Sequence, residues 1–362
     1  MAAVNFDLTT VDGVREYLKG TEFGVCGQIA ELSGGSANYT FRAEISKPYA
    51  GKSTIIIKHA RPYIKGMSTV RFDVSRQDFE VEALRRVKGV IPDGALVTVP
   101  EVYLFDEKER VIIMEDCGEK SMHLKQFMRE GRLPLPMATK IGKGLGEFIG
   151  RIHVWGRDKS AWEFFDGNIQ AKELSAWVTY GRLYETLDKS QNTNLSVLQD
   201  PPLDVGPDDL AAVKKVAEEM GTAIRNGHET FVMGDFWPGN MVIKLNEEGD
   251  PEHIYVVDWE VSKPGLTGVE LGQFCAEIGF VRHFHPEYAA VANAVLMSFF
   301  KAYEEMAKPD KTTFKTAAIH AGTHWVTWGS RLSWGGKEET REVVKKGLRL
   351  VLEGDISEFR LE

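Results

Sequence analysis

The apolar positions of this chain change their period once. Up to residue 116 they fall in short β-branched runs, and beyond it they recur every three or four residues. Residues 25–32 and 38–45 predict two strands around a small-residue turn, and residues 53–58 predict a third that ends on Lys58. Residues 10–19, stopped by Gly20, and residues 75–87 read as helices, with further strands at 100–105 and 110–115. Then Ile141, Leu145, Ile149 and Ile152 mark one face of a long helix, and Leu210, Val213, Ala217, Met220 and Ile224 mark another. A β-like island at 230–232, 241–245 and 253–257 interrupts the helices. The last stretch, 268–354, is helical again and carries Trp325, Trp328 and Trp334. The pattern predicts an α+β chain of two lobes, a β-rich one at 1–116 and a mainly helical one at 117–362 with a small hairpin set into it.

Composition narrows the partners. A chain of 362 residues is too long for one compact core, which suits two lobes. The net charge is −9, and Lys and Arg gather nowhere, so the basic face of a nucleic-acid binder is missing. No stretch approaches the roughly 20 apolar residues that span a bilayer, and the first residues lack the basic-then-apolar pattern of a secretory signal. Cys26, Cys117 and Cys275 are odd in number and far apart, against both a disulfide framework and a zinc site. The expectation is a cytoplasmic protein with neither membrane nor nucleic acid as partner.

The densest chemistry lies in the loop from Met233 to Asn240. There Asp235 is followed five residues later by Asn240, among Gly and Pro and between two strands. In phosphoryl transfer that spacing lets the aspartate accept or orient a hydroxyl while the asparagine oxygen holds a metal ion. An Asx-rich turn is the plain alternative. Asp258, 23 residues after Asp235, ends an apolar strand, where a carboxylate can chelate the metal that bridges nucleotide phosphates. Lys58 ends a strand that reads as buried and needs a partner there. Glu80 and Glu82 on the following helix are the candidates. They point about 200° apart, so only one can face the lysine; Glu80 is expected, with Glu82 as the alternative. The turn Ser33 to Asn38, including Gly34, Gly35 and Ser36, offers backbone amides to phosphates or is an ordinary hairpin turn.

In this order and context the residues resemble the aminoglycoside phosphotransferase/choline kinase family. The likeness runs from about Glu31 to about Gly279. It rests on Gly234, Asp235 and Asn240, on Asp258 to Glu260, on the turn before Asn38, on Lys58, on Phe79 and Glu80, and on Gly150 to His153. The N-terminal lobe is most similar to methylthioribose kinase, through Ile55 to Tyr63 and Val99 to Tyr103, although that subfamily usually lacks an asparagine at the place of Asn240. The resemblance implies a two-lobe protein-kinase-like fold, ATP and Mg2+ as cofactors, and a small hydroxylated molecule as acceptor. It implies Asp235 as the catalytic carboxylate and Asn240 and Asp258 as metal ligands. Gly34, Gly35, Ser36, Asn38, Lys58 and Glu80 would attend the nucleotide phosphates, and Met114, Glu115 and Asp116 the base. Met233 stands where the family usually has histidine, and Glu270 where it has aspartate, a longer substitute that would hold the loop. The former is the support for a second reading, a catalytically weak nucleotide-binding module. H-R-D, D-F-G and A-P-E are absent, which argues against a protein substrate.

For the acceptor, residues after Asp258 offer aromatic walls and charge: Trp259, Glu260, Glu270, Phe274, Glu277, Trp328 and Arg331. Carboxylates beside aromatic faces suit a cationic acceptor, whereas Arg282 and Arg331 suit an anionic or sugar-like one. His153 is expected as a buried helix-end histidine rather than a catalyst.

Overall fold

The computed structural model describes residues 6–360 apart from Gly34 and Ser36. It divides into two compact units, residues 1–89 with 99–121, and residues 90–98 with 122–362.

The first unit is a five-stranded antiparallel sheet in the order Val25–Glu31, Tyr39–Tyr49, Lys52–His59, Val111–Glu115, Val102–Asp106. Alternate side chains go to opposite faces, as a strand requires. Phe41, Ala43, Ile45, Ile55, Ile57, Val111 and Ile113 turn one way and pack with Val14, Tyr17 and Leu18 of the helix Val11–Leu18. Ile112 and Met114 turn the other way and meet Val81 of the helix Arg76–Val90. Thr10 caps the first helix by accepting from Gly13 N. The strands and helices expected here are all present. The small hairpin of Tyr63–Ile64 with Met67–Arg71 was not foreseen: its longer strand is exposed throughout, so no apolar alternation marks it.

In the second unit, strands Met241–Leu245 and Pro251–Val256 form an antiparallel hairpin. It is flanked by Met122–His123 and, in parallel, by Val97–Thr98. Thr230–Val232 pairs separately with Lys263–Gly265. The helix Leu135–Trp155 lies against Ala289–Ala307. They come this close because a Cβ at Gly146 would stand 2.3 Å from the carbonyl oxygen of Phe299. Thr267–Phe284 packs on Lys311–Gly329, which packs in turn on Lys337–Glu353. Phe148, Phe231, Phe236, Phe274, Phe299 and Trp259 form a continuous aromatic core beneath the hairpin. Among the described residues no helix is long and apolar enough to cross a membrane.

Candidate active site

In the first unit, Lys58 Nζ lies 2.6 Å from Glu80 Oε1, and both side chains are nearly inaccessible. Glu82 turns outward and binds Arg86 one helical turn on, at 2.6 Å, so the structure selects Glu80. Gln77 donates to the carbonyl of Lys58 and ties the same helix to the lysine's strand.

The expected phosphate turn is only partly described. Gly34 and Ser36 lie outside the described residues, and Gly35 is exposed with open space where a Cβ would be. Asn38 is buried, and its Oδ1 accepts from Arg76 Nη2 at 2.9 Å. Arg76 is itself fully buried and donates to the carbonyls of Arg61, Phe72 and Asp73. Asn38 is therefore engaged in anchoring the end of the turn, a role that spacing alone does not disclose.

At the stretch expected to meet the base, the side chains already have partners within the chain. Met114 and Glu115 are rungs of the sheet, opposite Ile56 and Ile55. The N–H of Glu115 donates to the carbonyl of Glu101, and its carboxylate pairs with Lys52 at 3.0 Å. Asp116 is buried and bidentate to Arg42, at 2.6 and 2.9 Å, and also accepts from Gly118 N. Burial opposes its ionisation, yet the bonds from Arg42 and Gly118 hold its carboxyl below the usual range. Its side chain braces the chain where the strand ends.

The second unit carries the D-x4-N loop. Gly234 has φ +86°, a conformation that glycine adopts without strain, and a Cβ there would strike Val261 O and Lys263 Nζ at 2.5 Å. Its N–H donates to Glu270 Oε1 at 2.7 Å. Glu270 Oε2 meets His153 Nε2 at 2.9 Å, and His153 Nδ1 meets the Tyr303 hydroxyl at 2.9 Å. Glu270 is 1% exposed. It thus holds the loop from behind, as its place as a longer substitute for the family's aspartate implies, and is not an acceptor contact; His153 is the buried histidine expected. Met233, fully buried, fills apolar space where the family usually has histidine.

The Asp235 carboxylate is held from three sides. Gln273 Nε2 donates to Oδ1 at 2.6 Å, while Asn240 Nδ2 and Trp237 Nε1 donate to Oδ2 at 2.9 and 3.2 Å. Removal from water pushes the carboxyl up to about 6, an effect that these donors oppose and the charge of Asp258 reinforces. Lys263, buried behind Gly234, is pushed down to about 8 by burial, against the pull of Glu270 and Asp235.

Asn240 and Asp258 meet at one end of the hairpin. Met241 is opposite Val256, and Val257 N donates to Asn240 O at 2.9 Å. The amide nitrogen of Asn240 is committed to Asp235, and its Oδ1 is a neutral acceptor. Asp258 has φ +65°, a left-handed conformation uncommon outside glycine and concentrated at functional sites. Among the described residues no group of three or more His, Cys, Asp or Glu could hold a metal ion. One carboxylate and one amide oxygen are hard-oxygen groups that could hold magnesium if phosphates completed its shell.

The other acceptor candidates divide. Trp259 is fully buried, packs on Phe148 and Phe231 and donates to Val256 O; it is corrected to core. Glu260 is buried, with its carbonyl accepting from Asn168. Arg331 is spent on Glu185, Thr186 and the carbonyl of Thr327, and Arg282 on Glu358. Trp328 is half-buried and stacks near His324. Gln273 and Trp237 were not foreseen as partners of Asp235; for Gln273, a polar residue on a largely apolar helix was the one available sign.

Comparison with known proteins places this arrangement. Residues 81–276 match the ecdysteroid kinase-like family. The chain is 31% identical to the 4-hydroxytryptamine kinase of Psilocybe cubensis, covering 95% of this chain and 92% of that protein. It is 30% identical to that of Psilocybe cyanescens, over 95% and 93%. Among solved structures, a choline/ethanolamine kinase family protein from Mesorhizobium loti superposes with a TM-score of 0.53 at 14% identity, over 97% of this chain and 99% of that one. At that identity the likeness speaks for the fold alone, the two-lobe kinase fold. A match that spans the D-x4-N loop and Asp258, with curated kinases aligned nearly end to end, makes this chain a small-molecule kinase that belongs to the ecdysteroid kinase-like family.

Proposed function

We propose that the chain transfers the γ-phosphate of magnesium-bound ATP to the hydroxyl of a small aromatic alcohol that also bears an amine. The observation that carries this is the Asp235 carboxylate, oriented by Gln273, Asn240 and Trp237. A carboxylate fixed in this way and raised to about 6 is ionised at neutral pH, yet basic enough to take a proton as the acceptor oxygen attacks phosphorus. Lys58, paired with and aimed by Glu80, would hold the nucleotide phosphates. Asp258 and the Asn240 oxygen would hold magnesium, which when bound offsets charge on the phosphates. Glu270 keeps the Gly234 turn in place, so the loop is held without the usual histidine.

The amine is supported by the relatives, named for 4-hydroxytryptamine, and by the engagement of Arg282 and Arg331 elsewhere, which speaks against an anionic acceptor. The test is phosphorylation of a panel by the purified chain with ATP and magnesium, followed by phosphorus NMR. Hydroxytryptamines and tyramine are the expected acceptors. Turnover confined to methylthioribose, neutral sugars or aminoglycosides would sink this reading.

A further inference from the structure

Gln273, which binds Asp235, has a second polar residue one helical turn further along the same face. This is Glu277, 5% exposed on the helix Thr267–Phe284. Its Oε1 faces His324 Nε2 at 2.9 Å, and its Oε2 accepts from Lys125 Nζ at 3.0 Å. Burial opposes ionisation of Glu277, but the hydrogen bond from His324 and the charges of His324 and Lys125 outweigh it, and the carboxyl stays below its usual range. The ammonium of Lys125 lies 4.6 Å from the ring centre of Trp237 and 4.4 Å from that of Trp334. Trp334 is itself held on Phe280 and Phe284, with Arg129 over its ring. Trp237 is the residue that donates to Asp235, so a single indole separates the catalytic carboxylate from this ammonium.

A cation between two indole faces, paired with a carboxylate that cannot reach bulk water, is the chemistry by which proteins recognise an alkylammonium. Here the cation belongs to the chain. Lys125 comes from the short helix Leu124–Arg129, and its side chain is 21% exposed, so it has a path to solvent. Lysine is a point charge on a flexible stem and can leave, whereas Glu277, Trp237 and Trp334 are fixed by their neighbours. The spacing is also apt: Gln273 and Glu277 lie about 6 Å apart along the helix axis, one serving the hydroxyl site and the other the cation.

We propose that Glu277, Trp237 and Trp334 form the seat for the ammonium of the acceptor, and that Lys125 is a resident cation which a primary or secondary alkylammonium displaces. The assignment rests on Asp235 being the residue that meets the acceptor hydroxyl. It makes the acceptor a molecule with a hydroxyl and an aliphatic amine about one helical turn apart. It also makes Lys125 a built-in competitor that sets the affinity for amines.

The test uses the full chain and ligands that cannot be phosphorylated, so it does not depend on turnover. Calorimetry compares tryptamine, which carries the ammonium, with 3-ethylindole, which has the same ring and no charge. The wild-type chain should bind tryptamine at least 10-fold more tightly, and Glu277→Gln should abolish that preference. Lys125→Met should tighten tryptamine several-fold and leave 3-ethylindole unchanged. Should Glu277→Gln fail to fold, Lys125→Met decides alone. Equal affinity of the wild type for the two ligands, no binding of tryptamine, or no tightening in Lys125→Met would each overturn the proposal. If tryptamine behaves as stated but no hydroxylated counterpart is phosphorylated, the seat stands and the assignment of Asp235 falls.

Discussion

Asp235→Asn separates catalysis from stability in one variant. The native carboxyl is raised from 3.8 to about 6. About two units at ~1.4 kcal/mol each correspond to roughly 3 kcal/mol by which the native fold prefers the neutral form. The sign follows from the direction. A carboxyl raised in the folded state lowers stability fully above about pH 6, and that cost shrinks toward zero as pH falls to the unfolded value of 3.8. Asparagine removes the charge and keeps the shape. It can still accept from Gln273, but its amide nitrogen then faces the donors of Asn240 and Trp237, which returns about 1 kcal/mol. The variant should therefore be about 2 kcal/mol more stable at pH 7.5. For a chain of this length that is a rise in Tm of roughly 2–3 °C, and the gain should largely vanish by pH 5. Turnover should fall roughly 100-fold or more with ATP binding nearly intact. In the wild type, kcat should decline below about pH 6 as Asp235 protonates. Thermal melts at the two pH values and steady-state kinetics read these quantities. A variant that turns over near wild type, or that melts lower at pH 7.5 with no dependence on pH, would refute the reasoning.

Three other outcomes are expected. Lys58→Ala and Glu80→Ala each strand a buried charge and should cost about 3–5 kcal/mol while raising the KM for ATP. Glu82→Ala loses only its partly exposed pair with Arg86, about 0.5 kcal/mol, and a matching rise in KM there would show that the wrong glutamate was chosen. Glu270→Ala removes the acceptor from Gly234 N and His153 Nε2; kcat should fall while the KM for ATP holds, and an unchanged kcat would take Glu270 out of the loop's support. Asp258→Ala should abolish the magnesium-dependent part of ATP's thermal stabilisation, and retention of that part would exclude it as a ligand.

The strands and helices that bury one face were legible because their periods are strong, and the catalytic loop was legible because its spacing is fixed by chemistry. That only one of Glu80 and Glu82 can face Lys58 followed from helix geometry, and the structure chose Glu80. What stayed hidden depends on contacts distant in sequence. Trp259 has the composition of a ligand wall but is core, because Phe148 and Phe231 arrive from elsewhere to cover it. Glu270 stood in the place of the family's loop-holding aspartate, but the backbone N–H that it answers to, 36 residues back, came only with the fold. Asp116 sits at the end of its strand, and only its distant partner, Arg42, shows that the side chain is already used. Lys125 lies in a stretch with no motif at all, and its meaning comes wholly from Trp237, Trp334 and Glu277.

The strand Val97–Thr98 belongs to the second unit although chain of the first unit precedes and follows it. Its partner is centred on Ile254 and Tyr255. During synthesis, this strand must wait for that partner on the order of 10–30 s at ordinary translation rates. A chain cut after Ser121 carries the strand without its sheet, and one started at Met122 carries the sheet with that edge unpaired. Neither half is a self-sufficient product of a single cut. Splitting the protein into two genes should give aggregation unless residues 90–98 travel with the later piece.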